Sequence, residues 1–178
     1  GHIWLGKDKR YHTRGIGPNE YAERDLDDQP GVIDNAYNNV MLAFTLYSAL
    51  ELLDQLSPTK RAKLLAKVGL KKEAYQKFRE KANAIIDRIN IPYDGERKLI
   101  LESLNWDQRI ALDLSDPEFA DPDRQGFPVR ALDVKIKERL NQGAYHYQAL
   151  KQPDVIMLYV FSKLFPLGFI ARVSSRKW

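Results

Sequence analysis

Residues 34–56 constrain this chain most, because they are apolar on nearly every side of the helix they predict. Tyr37, Val40, Met41, Phe44, Tyr47 and Leu50 recur at helical spacing. Ala36, Ala43, Leu46, Ala49, Leu52 and Leu53 carry the apolar surface on around the cylinder. Such a helix must be covered on most sides, so the pattern predicts an inner helix with other helices about it. Asp34 is placed as its N-cap, and Ser57-Pro58 ends it.

A shorter helix is expected next, capped by Ser57 or Thr59 and stopped by Gly69. Residues 71–90 predict a second long helix, this one with a single stripe of Ala74, Tyr75, Phe78, Ala82, Ile85, Ile86 and Ile89. Asn90-Ile91-Pro92 closes it. An inner helix followed by an outer one is the repeating unit of an α/α barrel, and a generic helical bundle gives the same trace. Residues 98–104 suit a short strand or a helix edge, 113–128 form a polar excursion, 129–140 suit a short helix, and 152–165 predict a longer buried one. Both long segments repeat at 3.6 residues, so the fold class expected is all-α without substantial sheet. Residues 1–178 show no internal repeat, low-complexity tract or linker, which favours one domain.

Composition excludes several function classes. With no cysteine there is neither a disulfide framework nor a thiolate metal site, which is compatible with a reducing cytoplasm. His12 and His146 stand apart from any cluster of ligand spacing, so no metal is expected. The net charge of +4 and pI near 9.2 invite a nucleic-acid hypothesis, but the lysines and arginines of residues 60–81 are scattered among Glu73 and Glu80. A solvated helical face explains that spread, so no nucleic-acid partner is expected. The most apolar stretch, residues 155–171, is broken by Lys163 and Pro166 and is shorter than the roughly 20 residues of a spanning helix. No membrane partner and no secretory signal are expected. Trp4, Trp106 and Trp178 offer rings for sugar stacking, but plain packing is the commoner role of tryptophan and none is assigned to a site.

The run Gly15-Ile16-Gly17-Pro18-Asn19-Glu20-Tyr21 places a carboxylate on a turn that two glycines and a proline restrict. A fixed carboxyl group is what general acid catalysis at a glycosidic oxygen requires, although a solvated loop glutamate fits the same residues. Beside it stand Asp34-Asn35-Ala36-Tyr37 and Lys151-Gln152-Pro153-Asp154-Val155. Three segments in this order, Gly17-Pro18-Asn19-Glu20-Tyr21 and these two, resemble signatures of glycoside hydrolase family 65, and the resemblance spans residues 11–165.

That family holds inverting phosphorylases of maltose, trehalose, kojibiose, nigerose and related α-glucosides, with some hydrolases, on an (α/α)6 barrel several times longer than this chain. The resemblance implies part of such a catalytic barrel. It further implies Glu20 as general acid, Lys151 and Gln152 as holders of the donor glucosyl hydroxyls, and an α-linked glucose disaccharide and inorganic phosphate as substrates, with no cofactor. An inverting phosphorylase needs one enzymatic carboxyl group, because phosphate attacks the anomeric carbon. An inverting hydrolase needs a second carboxylate roughly 6.5–9.5 Å away. No residue stands out for it; Asp154 comes nearest, and a first-turn acid complementing the helix dipole explains Asp154 better. Ser174-Ser175-Arg176 lacks the neighbouring His-Asp of the family's phosphate site. The alternative is therefore a noncatalytic fragment or a helical sugar- or protein-binding module. A partial barrel exposes inner-helix surface, so a homo-oligomer is also expected.

Overall fold

The computed structural model describes residues 1–16, 24–111, 146–148 and 154–174. The chain opens on a hairpin: β1 (His2–Leu5) runs antiparallel to β2 (Tyr11–Gly15), with His2 opposite Arg14 and Leu5 opposite Tyr11. β3 (Val32–Ile33) adds to the other edge of β2, pairing Arg14 with Ile33 and Gly15 with Val32. Gly31 makes that approach possible. Its φ is +78°, and a Cβ there would lie 3.1 Å from the Gly15 carbonyl oxygen. A second, two-stranded sheet joins β4 (Tyr93–Asp94) to β5 (Leu99–Ile100).

The all-α expectation is therefore overturned by two antiparallel sheets. The reason lies in how these strands are held. All four residues of β1 are exposed and all five of β2 half-buried, so neither strand buries one face and exposes the other. Period-two alternation, the sequence signal of a half-buried strand, is absent because backbone pairing rather than a buried face secures the hairpin. The strand at Leu99–Ile100 falls within the segment where a short strand was one of two expectations.

The helices follow the sequence more closely. α1 (Ala36–Gln55) is capped by Asn35, whose side-chain oxygen accepts the Asn38 N–H at 2.9 Å, and not by Asp34. Asp34 still belongs to the sheet, since its N–H donates to the Thr13 carbonyl at 2.9 Å. α2 (Pro58–Lys67) is capped by Ser57, and Gly69 follows its end at φ +69°. α3 (Lys72–Arg88) buries Tyr75, Ala82, Ile85 and Ile86 from the predicted stripe, while Phe78 is exposed. Beyond residue 153 come α4 (Asp154–Ser162) and α5 (Leu167–Ser174), parted by Pro166.

The core forms where these helices meet. Ala36, Val40 and Ala43 of α1 pack with Ile85, Ile89, Ile91, Leu158 and Phe169, and Leu50 packs separately with Ala82 and Ile86. The other flank of α1 is aromatic. Phe44 lies 4.8 Å from the ring of Phe165 and 5.4 Å from Phe169, and Tyr47 lies 5.5 Å from Phe169. So α1 is enclosed by α3 on one side and by α4 and α5 on another, as its apolar girth requires, although Leu52 is exposed. α4 is less buried than expected, because Ile156, Tyr159 and Val160 face outward. Among the described residues no helix is long and apolar enough to cross a membrane.

Candidate active-site cleft

The turn from β3 into α1 is built on Asp34, which adopts φ +52° and is fully buried. Aspartate is among the few residues that enter this left-handed region readily. The turn swings its carboxylate inward, where four donors surround it. Oδ1 accepts the Thr13 N–H at 2.8 Å and Asn39 Nδ2 at 3.2 Å. Oδ2 accepts Asn90 Nδ2 at 2.8 Å and lies 2.6 Å from Nδ1 of His12. A buried carboxylate is tolerated only when its lone pairs are met in this way.

The surrounding groups are saturated in turn. Thr13 Oγ1 donates to Asn39 Oδ1 at 2.5 Å, and Asn39 Nδ2 also donates to the Asn90 carbonyl at 2.6 Å. Arg10 donates to Asn90 Oδ1 at 3.0 Å, and the Asn90 N–H donates to the Tyr11 carbonyl at 2.7 Å. Asp34 thus ties together the hairpin, the start of α1 and the residues after α3. His12 also reaches Asp8, both of whose oxygens lie 3.1 Å from Nε2. Burial pulls the pKa of His12 down, but its hydrogen bonds to Asp34 and Asp8 outweigh that and leave it raised.

In front of this junction lies a cleft of about 410 Å³, between the hairpin and the first turns of α1. Thr13, Arg14, Asn35, Asn38 and Asn39 supply its polar wall, and Ile3, Met41 and Leu42 its apolar one. The side-chain amide of Asn38 donates one hydrogen to the Ile16 carbonyl at 3.1 Å. Its second N–H has no hydrogen-bond partner among the described residues and suits the hydroxyl-rich edge of a sugar.

The residues on either side of segment 17–23, Ile16 and Arg24, are both held by hydrogen bonds to their carbonyls. Across its base Arg14 pairs with Asp25 at 2.7 Å. Burial pushes the Asp25 carboxyl upward, but the N–H groups of Gln29 and Asp27 and the Arg14 guanidinium prevail, and its pKa is lowered. At the far end Arg109, which is buried, donates to the Arg24 carbonyl at 3.3 Å and lies over the Trp106 ring at 5.3 Å. Desolvation lowers the pKa of Arg109 despite the nearby charges of Glu102 and Asp25. Its Nε and Nη1, like the buried Ser103 Oγ, have no hydrogen-bond partner among the described residues. Glu102 accepts from Asn35 Nδ2 at 3.0 Å, which connects this group to the helix cap.

Glu20, Lys151 and Gln152, the three site residues named from sequence, lie outside the described residues. What the structure does bring together is the flanks of the three segments. Asn38 binds Ile16, next to the first segment; Tyr37, within the second, lies 6.4 Å from Phe161 of α4, the helix in which the third ends. The sequence reading missed the junction itself. His12 was weighed only as a metal ligand, and Asp34 as a cap and as part of the second family segment. Asp34, Asn35, Asn38 and Asn39, four polar residues opening an otherwise apolar helix, were the available signal. Among the described residues no group of three or more His, Cys, Asp or Glu is arranged to hold a metal ion.

The profile of the glycosyl hydrolase family 65 central catalytic domain matches residues 3–174. The chain belongs to glycosyl hydrolase family 65. Within that family it is 31% identical to an uncharacterised glycosyl hydrolase of Mycobacterium tuberculosis, over 98% of this chain and 13% of the relative. It is 29% identical to the trehalose 6-phosphate phosphorylase of Lactococcus lactis, over 86% of the chain and 17% of that enzyme. Against the kojibiose phosphorylase of Halothermothrix orenii it is 28% identical, over 84% and 17%. A solved structure from the human microbiome, described as a candidate kojibiose phosphorylase, shares the fold with a TM-score of 0.61 and 20% identity. It covers 96% of this chain and 21% of its own. This family 65 chain thus spans 13–17% of the length of the curated relatives it matches.

Proposed function

We propose that this chain is part of the catalytic domain of a disaccharide phosphorylase that cleaves α-linked glucosides with inversion, inorganic phosphate being the co-substrate. The observation that carries this reading is the hydrogen bond from Asn38 to the Ile16 carbonyl. It fastens the segment containing Asp34-Asn35-Ala36-Tyr37 to the residue that precedes Gly17-Pro18-Asn19-Glu20-Tyr21, on the rim of a cleft with a carboxamide-rich wall. The relatives named as phosphorylases of kojibiose and trehalose 6-phosphate support the same substrate class.

In this mechanism Glu20 gives its proton to the departing glycosidic oxygen while a phosphate oxygen attacks the anomeric carbon from the opposite face. One C–O bond breaks and another forms, and an α-glucoside yields β-glucose 1-phosphate. Glu20 must be protonated near neutrality, which burial or neighbouring negative charge brings about. Lys151 and Gln152 hold the donor hydroxyls, an ammonium and a carboxamide together offering donors and an acceptor. The outward-facing Ile156, Tyr159 and Val160 of α4 support self-association as a further part of the proposal.

The test is to incubate the chain with kojibiose, maltose, nigerose, trehalose and trehalose 6-phosphate, with and without phosphate, and to follow anomeric protons by NMR. Phosphate-dependent β-glucose 1-phosphate is the expected product. Glucose released without phosphate would instead assign hydrolysis. Sugar binding without any cleavage would favour a noncatalytic sugar-binding module.

A further inference from the structure

His12 belongs to none of the three segments and has no part in the chemistry above, yet each of its ring nitrogens faces a carboxylate. Nδ1 lies 2.6 Å from Asp34, and Nε2 lies 3.1 Å from both oxygens of Asp8. An ionised carboxylate only accepts hydrogen bonds, and a neutral imidazole has a single N–H. A neutral His12 would therefore set a bare lone pair against one of the two carboxylates, whereas the imidazolium donates to both. Trp4 stacks on the ring at 5.7 Å and 24°, and an aromatic face favours a cation beside it.

The charged groups around the ring come from three elements. Asp8 approaches from the β1–β2 turn and Asp34 from the β3–α1 junction. Arg10, from the same turn as Asp8, is engaged with Asn90, and Arg88 of α3 lies over Tyr11 at 5.3 Å. Among the described residues His12 is the cation that pairs with the buried Asp34.

We propose that His12 is a pH-gated positioning residue of the cleft: clamped as an imidazolium between Asp8 and Asp34, it holds the junction from which Thr13 and Asn38 face the cleft. When it loses its proton the Asp8 contact goes first, and Asp34 becomes a buried charge without its counter-cation. The lever to the cleft is short. The N–H of Thr13, the next residue, is bound to Asp34 at 2.8 Å, and the N–H of Asn38 is bound to Asn35, the neighbour of Asp34. The consequence for turnover rests on the phosphorylase reading, whereas the clamp itself does not.

Nitrogen-15 NMR of the whole chain tests it, with His12→Gln identifying the signal among the three histidines. Two ring N–H groups are expected on His12, with a titration midpoint above the ordinary value of about 6.5. The backbone amides of Thr13 and Asn38 should move with that same midpoint. Asp8→Asn keeps an oxygen for the Arg10 N–H, which Asp8 accepts at 3.1 Å, but removes the charge. It should lower the shared midpoint, proton affinity falling roughly threefold to tenfold. The alkaline limb of kcat/KM for phosphorolysis should move down with it. A single ring proton at about pH 6, a midpoint at or below the ordinary one, or Thr13 and Asn38 amides indifferent to His12 would overturn the proposal. A shared midpoint in a chain that never performs phosphorolysis would sink the functional reading and leave the clamp. Phosphorolysis with an ordinary His12 would sink the clamp alone.

Discussion

Asn38, in the first turn of α1, donates its side-chain amide to the carbonyl of Ile16 at 3.1 Å, and so fixes the strand end from which the segment bearing Glu20 departs. The bond is exposed, so Asn38→Ala should cost only about 0.5–1.5 kcal/mol of stability. Turnover should suffer more. Misplacing a catalytic group by about 1 Å can cost roughly 100-fold, so kcat should fall by about 10-fold to 100-fold while thermal unfolding shifts little. Equal losses in kcat and stability would show that the bond serves only the fold.

Glu20→Gln removes the transferable proton and preserves shape. In a preparation that shows phosphorolysis, kcat should fall by about 100-fold to 10,000-fold with KM little changed. Lys151→Ala should raise KM as well, because it is proposed to hold the sugar in ground and transition states alike. Steady-state kinetics on both variants check this, and full activity in Glu20→Gln would remove the mechanism.

Asp34 and Asp54 form a contrast between buried and exposed carboxylates. Asp34→Ala strips a buried group from four donors and leaves the His12 charge without its inner partner, which should cost about 3–5 kcal/mol in urea unfolding. Asp54 pairs with Arg79 of α3 and Arg61 of α2 near the surface. Its hydrogen bonds to Arg79, opposed by burial, lower its pKa. A lowered carboxylate pKa contributes stability above its ordinary value near 3.8, lost as pH falls through the lowered one. Because the pair is solvent-screened, Asp54→Asn should cost less than about 1 kcal/mol at neutral pH, and less again in high salt.

Gly31→Ala tests the sheet. The new methyl would meet the Gly15 carbonyl oxygen at 3.1 Å from a backbone at φ +78°, so a loss of about 1–3 kcal/mol is expected. Because Gly15 lines the cleft, ligand affinity should weaken as well, measurable by calorimetry with a disaccharide the protein binds. An unchanged melting temperature would mean that β3 does not sit against β2 as described.

The helical half of the fold was legible because its signal is periodic. The stripe on α3 and the girth of α1 both announce which faces are covered, and Ser57 and Gly69 mark the ends of α2 by local backbone chemistry. The sheets were not legible, since β1 and β2 pair through backbone groups common to every residue and carry no buried face. The family segments were recognised as strings, but the bond between Asn38 and Ile16 joins residues 22 apart, and that between Asp34 and Asn90 joins residues 56 apart. Such separations leave no periodic trace. Asp34 was taken for a cap because Asp before an apolar helix usually is one, and only its left-handed backbone and its N–H bond to Thr13 show that it forms the turn ahead of the cap.

Gly1, His2 and Ile3 line the cleft, which has a practical bearing on how the protein is handled. A tag joined ahead of Gly1 starts at the edge of the cleft and competes for its space with a ligand bound there. Binding measurements made with an amino-terminal tag and with a carboxy-terminal one should therefore disagree.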